Sequence, residues 1–305
     1  MILDCLNEGF SEGMRLDRYL ALLFPDKSRS YLQNLIRSGS VTVDGKAVKS
    51  GFALSESSII EFPDVIETEL LGAPEPRDIP LDVVYEDDDV IVVNKPKGLV
   101  VHPAPGHTDD TLVNALMYHC GDSLSGINGE LRPGIVHRID KDTTGLIVAC
   151  KNDKAHMALS EQLSTHSITR SYRALCHGCF KEETGTVDAP IGRLKTDRKR
   201  MGIVENGRHA VTHYRVLESF RDTSFIECRL ETGRTHQIRV HMSHIHHPLL
   251  GDEVYGLSRD RYRGQGQYLH AWLLGFVHPS TGKYMEFTAP LPAYFEETLQ
   301  KLRKT

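Results

Sequence analysis

No apolar run in this 305-residue chain approaches the roughly 20 residues of a membrane-spanning helix. The opening MILDCLNEGF carries acids where an export signal would be basic and then apolar. The six cysteines (Cys5, Cys120, Cys150, Cys176, Cys179 and Cys228) lack the spacing of a disulfide framework. A soluble protein of a reducing, cytoplasmic compartment is therefore expected. The pair in Cys176-His177-Gly178-Cys179 has no second pair at a fitting distance, so no structural metal is expected there. Neither a dinucleotide glycine fingerprint nor a phosphate-binding P-loop occurs, which argues against hydride transfer and nucleotide hydrolysis. His241, His244, His246 and His247 cluster, but in no H-E-x-x-H pattern, so a metal-dependent hydrolase is the weaker reading. The net charge of −5 argues weakly against nonspecific nucleic-acid binding, but whole-chain charge is a poor guide when basic residues gather on one face.

Among the residues present, the stretch from Gly134, GIVHRIDKDTTGLIVACKND, stands out. Its apolar flanks, Ile135-Val136 and Leu146-Ile147-Val148, predict a strand, a polar turn and a second strand. Strand alternation would then place Arg138 and Asp140 on one side and His137 and Ile139 on the other. Gly145 suits a sharp re-entry into the second strand. Charges between two buried strands need partners or a task, although a solvated hairpin tip is the plainer alternative.

The N-terminal region reads as a small separate module. Leu16, Tyr19, Leu20 and Leu23 recur at helical spacing up to Pro25, and a second helix carries Tyr31, Leu32, Leu35 and Ile36 up to Gly39. Val41, Val43, Asp44-Gly45, Ala47 and Val48 predict a hairpin with a type I′ turn. Arg15, Arg18, Lys27, Arg29, Arg37, Lys46 and Lys49 outnumber the acids there, as a phosphate-tracking surface requires. An acid-rich, proline-punctuated run follows, and residues 68–80 are the expected boundary region. The division is expected as 1–75 and 76–305.

In the larger part, LDVVYEDDDVIVVNKPKGLVVHP predicts two strands around an acidic turn, with Lys95 just past the second. Thr108 is the expected cap of a helix bearing Leu112, Val113, Leu116 and Met117. DKAHMALSEQLSTHSI reads as a helix, and ITRSYRALCHG, with Tyr172, as a strand. Pro190-Ile191-Gly192-Arg193 opens a basic loop with Lys195, Arg198, Lys199 and Arg200, read as phosphate contacts. HAVTHYRVLESF and SFIECRLETGRTHQIRVHMSHI read as strands, and PAYFEETLQKL as a closing amphipathic helix.

These segments, in this order, resemble the RluA family of pseudouridine synthases: His137-Arg138-Ile139-Asp140, Asn94-Lys95-Pro96, Arg170-x-Tyr172-x-Ala174-Leu175, Pro190-Ile191-Gly192-Arg193 and Thr232-Gly233-Arg234-Thr235-His236-Gln237-Ile238-Arg239. Ile139 stands where the family usually has Leu, and Thr144 where it has Ser. The N-terminal pattern resembles the S-four RNA-binding domain. The resemblance implies an α+β fold, a mixed and mostly antiparallel bent sheet with peripheral helices, and isomerisation of uridine in RNA with no cofactor or metal. It marks Asp140 as the essential carboxylate, Tyr172 as the residue against the target base, and Lys95 as part of the active-site floor. It also suggests a pair between Arg234 and Asp140. Ile238 would wall the pocket, and Arg138 would fill the stack that a flipped uridine vacates. Arg15, Arg18, Arg29, Arg37, Lys46, Arg193, Arg198, Lys199 and Arg200 are the expected RNA contacts. Large-subunit (23S) ribosomal RNA is the expected substrate, as for RluD-type members, and the protein is expected as a monomer. Transfer RNA and a non-catalytic RNA-binding or ribosome-assembly role are the alternatives.

Overall fold

In the computed structural model, residues 2–4, 10–24, 29–37, 39–61, 74–104, 106–121, 123–127, 129, 132–194, 197 and 200–304 are described, with backbone alone at 2–4, 29–31 and 34. The chain divides into two units, Met1–Glu69 and Leu70–Thr305.

In the first unit, helices α1 (Leu16–Leu23) and α2 (Arg29–Arg37) accompany strands β1 (Ile2–Asp4), β2 (Thr42–Val43), β3 (Lys46–Ala47) and β4 (Ile59–Glu61). The strands form one sheet in the order β1-β4-β2-β3. Leu16, Tyr19 and Leu20 from α1 meet Leu32 and Ile36 from α2 over Val41, Val43, Leu54 and Ile60, so the helical spacing builds one small core. Asp44 and Gly45 both take positive φ (51° and 71°), the turn that an Asp-Gly pair favours between twisted strands. The side chain of Asp44 also accepts the Ile59 N–H, tying the turn to β4.

The second unit is built on nine strands: β5 (Val83–Glu86), β6 (Val90–Lys95), β7 (Thr144–Cys150), β8 (Thr169–His177), β9 (Thr184–Asp188), β12 (Val211–Ser219), β13 (Thr223–Leu230), β14 (Leu269–Val277) and β15 (Tyr284–Thr288). A separate hairpin joins β10 (Ile191–Arg193) and β11 (Met201–Ile203). The large sheet runs β5-β6-β7-β14-β8-β13-β12-β9, with β15 also paired to β14. Among the described strands of this sheet only the β7–β14 pairing is parallel, so the fold is α+β with a mixed, mostly antiparallel sheet. Helices α3 (Leu112–Cys120), α4 (Asp153–Ser164), α5 (Gln237–His244) and α6 (Ala293–Arg303) accompany it.

The β7–β14 contact requires Gly145. Its φ is +106°, and an added Cβ would lie 2.2 Å from the Ala271 carbonyl oxygen. Every residue of β7 is buried, as its unbroken apolar run implies.

Three local expectations are corrected. The cap of α3 is Thr111, not Thr108: its hydroxyl accepts the Asn114 N–H, and the Asn114 side chain accepts the Thr111 N–H in return. The residues before Asp140 form no strand, because Gly134 turns at φ +72° and only Ile135 makes a bridge, to Ala149. The segment around Ile238 is a helix rather than a strand. Its residues Gln237 through Met242 are all buried, and a helix buried on every side carries no amphipathic stripe to read.

Candidate active site

The loop from Gly134 to Thr143 is fastened along its length. Gly134 O accepts the Cys150 N–H at 2.8 Å, and His137 Nε2 accepts the Val148 N–H at 3.0 Å, taking a place that a strand neighbour would otherwise fill. His137 is therefore held neutral; burial, then the charge of Arg170, pushes its pKa down to about 3. At the far end, Asp140 O accepts the Thr143 N–H at 3.1 Å, and the Thr143 hydroxyl accepts Gln267 Nε2 at 3.1 Å.

Lys95 sits beneath this loop, 1% exposed. Its Nζ donates to the carbonyls of Pro96, Leu99 and Lys141 at 2.8, 2.8 and 2.9 Å, using all three ammonium protons. Burial drives its pKa down to about 7, against the pull of Asp142 and Asp140. The folded value lies below the unfolded lysine value, so the unfolded chain binds more protons above about pH 7. Stability from this group therefore rises with pH from about 7 to about 10. Lys95→Met should remove that slope and cost about 1–3 kcal/mol through the stranded carbonyls, measured as urea midpoints against pH.

Asp140 lies in an open cleft lined among others by Arg138, Tyr172, Arg234, His236, Ile238 and Arg239. Its partner is Arg239, not Arg234: Arg239 Nη1 donates to Asp140 Oδ2 at 2.9 Å. The same guanidinium grips buried Asp252 with Nε and Nη2, at 2.7 and 2.9 Å. Asp252 also accepts the N–H groups of Val254 and Tyr255, which fixes the fork and thereby the N–H aimed at Asp140. Burial opposes the Arg239 charge, but Asp252 and then Asp140 outweigh it and raise its pKa above the ordinary arginine value. Arg234 instead donates from Nε to His209 O at 2.9 Å. It belongs to the turn ahead of α5, whereas Arg239 lies inside the helix.

Tyr172 on β8 and Ile238 on α5 wall the cleft, 8% and 3% exposed, together with Leu230 and Leu269. Burial raises the Tyr172 pKa, so its phenol stays protonated near neutrality. Arg138 is exposed, with Nη1 at 3.5 Å from His102 Nε2. Arg138, Arg170 and Arg234 bring cationic side chains to the space beside Asp140, a local basic field on an acidic chain.

The remaining expected RNA contacts lie farther out. Arg193 and Arg200 are exposed at the β10–β11 hairpin, while Arg198 and Lys199 fall outside the described residues. In the N-terminal unit Arg18, Arg37 and Lys46 are exposed, and Arg15 forms a double hydrogen bond with Asp17. The side chain of Arg29 falls outside the described residues. A groove in this unit is lined by Arg37, Lys49 and Phe52. The clustered histidines do not converge: His241 bonds Thr212 and the Ala189 carbonyl, and His247 stacks on Phe180. Among the described residues no three His, Cys, Asp or Glu side chains form a metal-sized group, and no helix is long and apolar enough to cross a membrane.

Residues 89–244 match the RNA pseudouridylate synthase family, and residues 14–60 match the S4 domain. The chain belongs to the RNA pseudouridylate synthase family. The YlyB RNA pseudouridine synthase of Bacillus subtilis is 52% identical to this synthase, covering 95% of this chain and 94% of that one. Ribosomal large subunit pseudouridine synthase D of Zymomonas mobilis is 51% identical, covering 92% and 91%. Among solved structures, human RNA pseudouridylate synthase domain containing 1 superposes with a TM-score of 0.58 at 27% identity, covering 74% of this chain and 96% of that one. The synthase is thus an isomerase that converts uridine to pseudouridine in RNA, with RNA as its partner.

Proposed function

We propose that the synthase isomerises specific uridines of large-subunit ribosomal RNA, with Asp140 as the essential carboxylate. The observation that carries this reading is the Arg239–Asp140 pair at the base of an apolar-walled, cation-rimmed cleft. Isomerisation breaks the N1–C1′ bond of uridine and joins C5 to C1′; C5 loses its proton and N1 gains one. No electrons are exchanged with a cofactor, so one oriented carboxylate, acting as base or nucleophile, meets the chemical demand. Arg239 holds Asp140 aimed into the cleft. Tyr172 stacks on the uracil while it is detached, and Ile238, Leu230 and Leu269 keep water and escape routes away from it. Arg138, at the exposed edge, fills the space a flipped uridine leaves. The ribosomal target is supported by the large-subunit name of the Zymomonas relative.

The test uses RNA tritiated at uridine C5, from which isomerisation releases tritium to water. Large-subunit ribosomal RNA lacking the modification should release it, and transfer RNA should not. Release from transfer RNA alone would overturn the ribosomal assignment. Arg138→Ala should weaken binding or turnover on paired RNA by about tenfold, since unstacking costs a few kcal/mol. An unchanged rate and affinity would remove Arg138 from the mechanism.

A further inference from the structure

His236 and Tyr255 have no part in the chemistry above, yet they are held against it. His236 immediately precedes α5 with φ 57° and ψ 22°, a left-handed backbone that is uncommon for non-glycine residues. Its Nε2 lies 3.8 Å from Asp140 Oδ1, and its ring lines the cleft. On the other side, Nδ1 is 2.8 Å from the Tyr255 hydroxyl, which in turn accepts the Met201 N–H at 2.9 Å.

This chain of groups selects one tautomer. With Met201 N–H occupying a lone pair, the tyrosine satisfies both ends of its hydroxyl by donating its proton to Nδ1. His236 then carries its proton on Nε2, facing the cleft. The opposite tautomer would set a bare Nε2 lone pair toward the Asp140 carboxylate and leave the tyrosine proton without its nearest acceptor. Burial lowers the His236 pKa, with Asp140 acting against it and Arg239, Asp252 and Arg138 also facing the ring, so the imidazole is neutral. The Tyr255 ring is held in turn by the guanidinium groups of Arg239 and Arg200, at 5.2 and 5.5 Å from its centroid.

We propose that Tyr255 fixes His236 as the Nε2–H tautomer, and that this N–H binds the uracil carbonyl oxygen on which negative charge develops as the glycosidic bond breaks. The inference rests on the uridine-isomerase reading of the cleft. When N1–C1′ breaks, the bonding pair passes to N1 and spreads onto the ring carbonyls. His236 donates a hydrogen bond to that charge and keeps its proton, so the imidazole is unchanged when C5 joins C1′. A fixed donor acts without reorganising during the reaction. Tyr255 is a positioning residue that works through His236, and it links the β10–β11 hairpin to the reacting groups.

The test has two arms on the full chain. In nitrogen-15 NMR of histidine-labelled protein at neutral pH, His236 should show a protonated Nε2 and a bare Nδ1, and Tyr255→Phe should yield a mixture. In single-turnover tritium release from large-subunit ribosomal RNA, His236→Ala should slow the step about 10²–10³-fold with RNA affinity held within about twofold. His236→Gln, which keeps an N–H donor, should recover at least about tenfold of that loss. A protonated Nδ1 or an imidazolium in the wild type overturns the proposal without any variant. A wild-type rate in His236→Ala overturns it while leaving the isomerase reading intact, whereas absence of release by the wild type itself removes both.

Discussion

Asp140→Asn is expected to slow uridine isomerisation about 10⁴-fold while leaving RNA affinity and the melting temperature close to wild type. The substitution is nearly isosteric, and the amide oxygen can still accept Arg239 Nη1, which now lies 2.9 Å from Oδ2. The change removes the negative charge and the basic, nucleophilic oxygen pair, neither of which an amide supplies at neutral pH. Single-turnover tritium release measures it. A residual rate within tenfold of wild type would show that another group carries the reaction.

Arg239→Met is expected to cost about 3–5 kcal/mol of stability and to slow the reaction strongly even where the variant is folded. Arg239 is the shared cation of two carboxylates, and Asp252 is almost wholly buried, 3% exposed. Without the guanidinium, Asp252 keeps the N–H groups of Val254 and Tyr255 but no cation among the described residues. Burial then works against its charge, so its pKa, now below the ordinary carboxylate value, should rise. The sign for the wild type follows. The depressed Asp252 pKa contributes stability above the unfolded value near 4, which is lost as pH falls through the folded value. In Arg239→Met the raised folded pKa narrows the gap to the unfolded value, so that acid-side loss should diminish. Arg239→Lys should be intermediate, retaining charge but not the fork that reaches both carboxylates. Urea unfolding across pH 3–7 tests this; equal stability of wild type and Arg239→Met would contradict the assigned role of the pair.

The sequence was most legible where chemistry and secondary structure share a period. The α1 and α2 spacings, the Asp44-Gly45 turn and the buried run of β7 each follow from short-range rules. Which arginine meets Asp140 did not follow. Arg234 and Arg239 lie in one motif, and the choice depends on where α5 begins: Gln237 accepts the Arg234 N–H through its side chain, closing the turn that starts the helix. Because α5 is buried on all sides, its apolar pattern resembles a strand, and the helical placement of Arg239 stayed hidden. Asp252 was equally invisible, since its pairing spans 13 residues through a turn. In the sequence His236 is one residue of a motif; its importance comes from Tyr255, 19 residues away. The loop before Asp140 has a strand-like sequence yet is irregular: a histidine ring, rather than a backbone carbonyl, accepts the Val148 N–H.

The measurement that tests the central claim most directly is pseudouridine mapping of total ribosomal and transfer RNA from cells lacking the gene, rescued with wild type or Asp140→Asn. The account predicts loss of defined large-subunit sites, restored by wild type and not by Asp140→Asn. Unchanged sites, or restoration by Asp140→Asn, would contradict it.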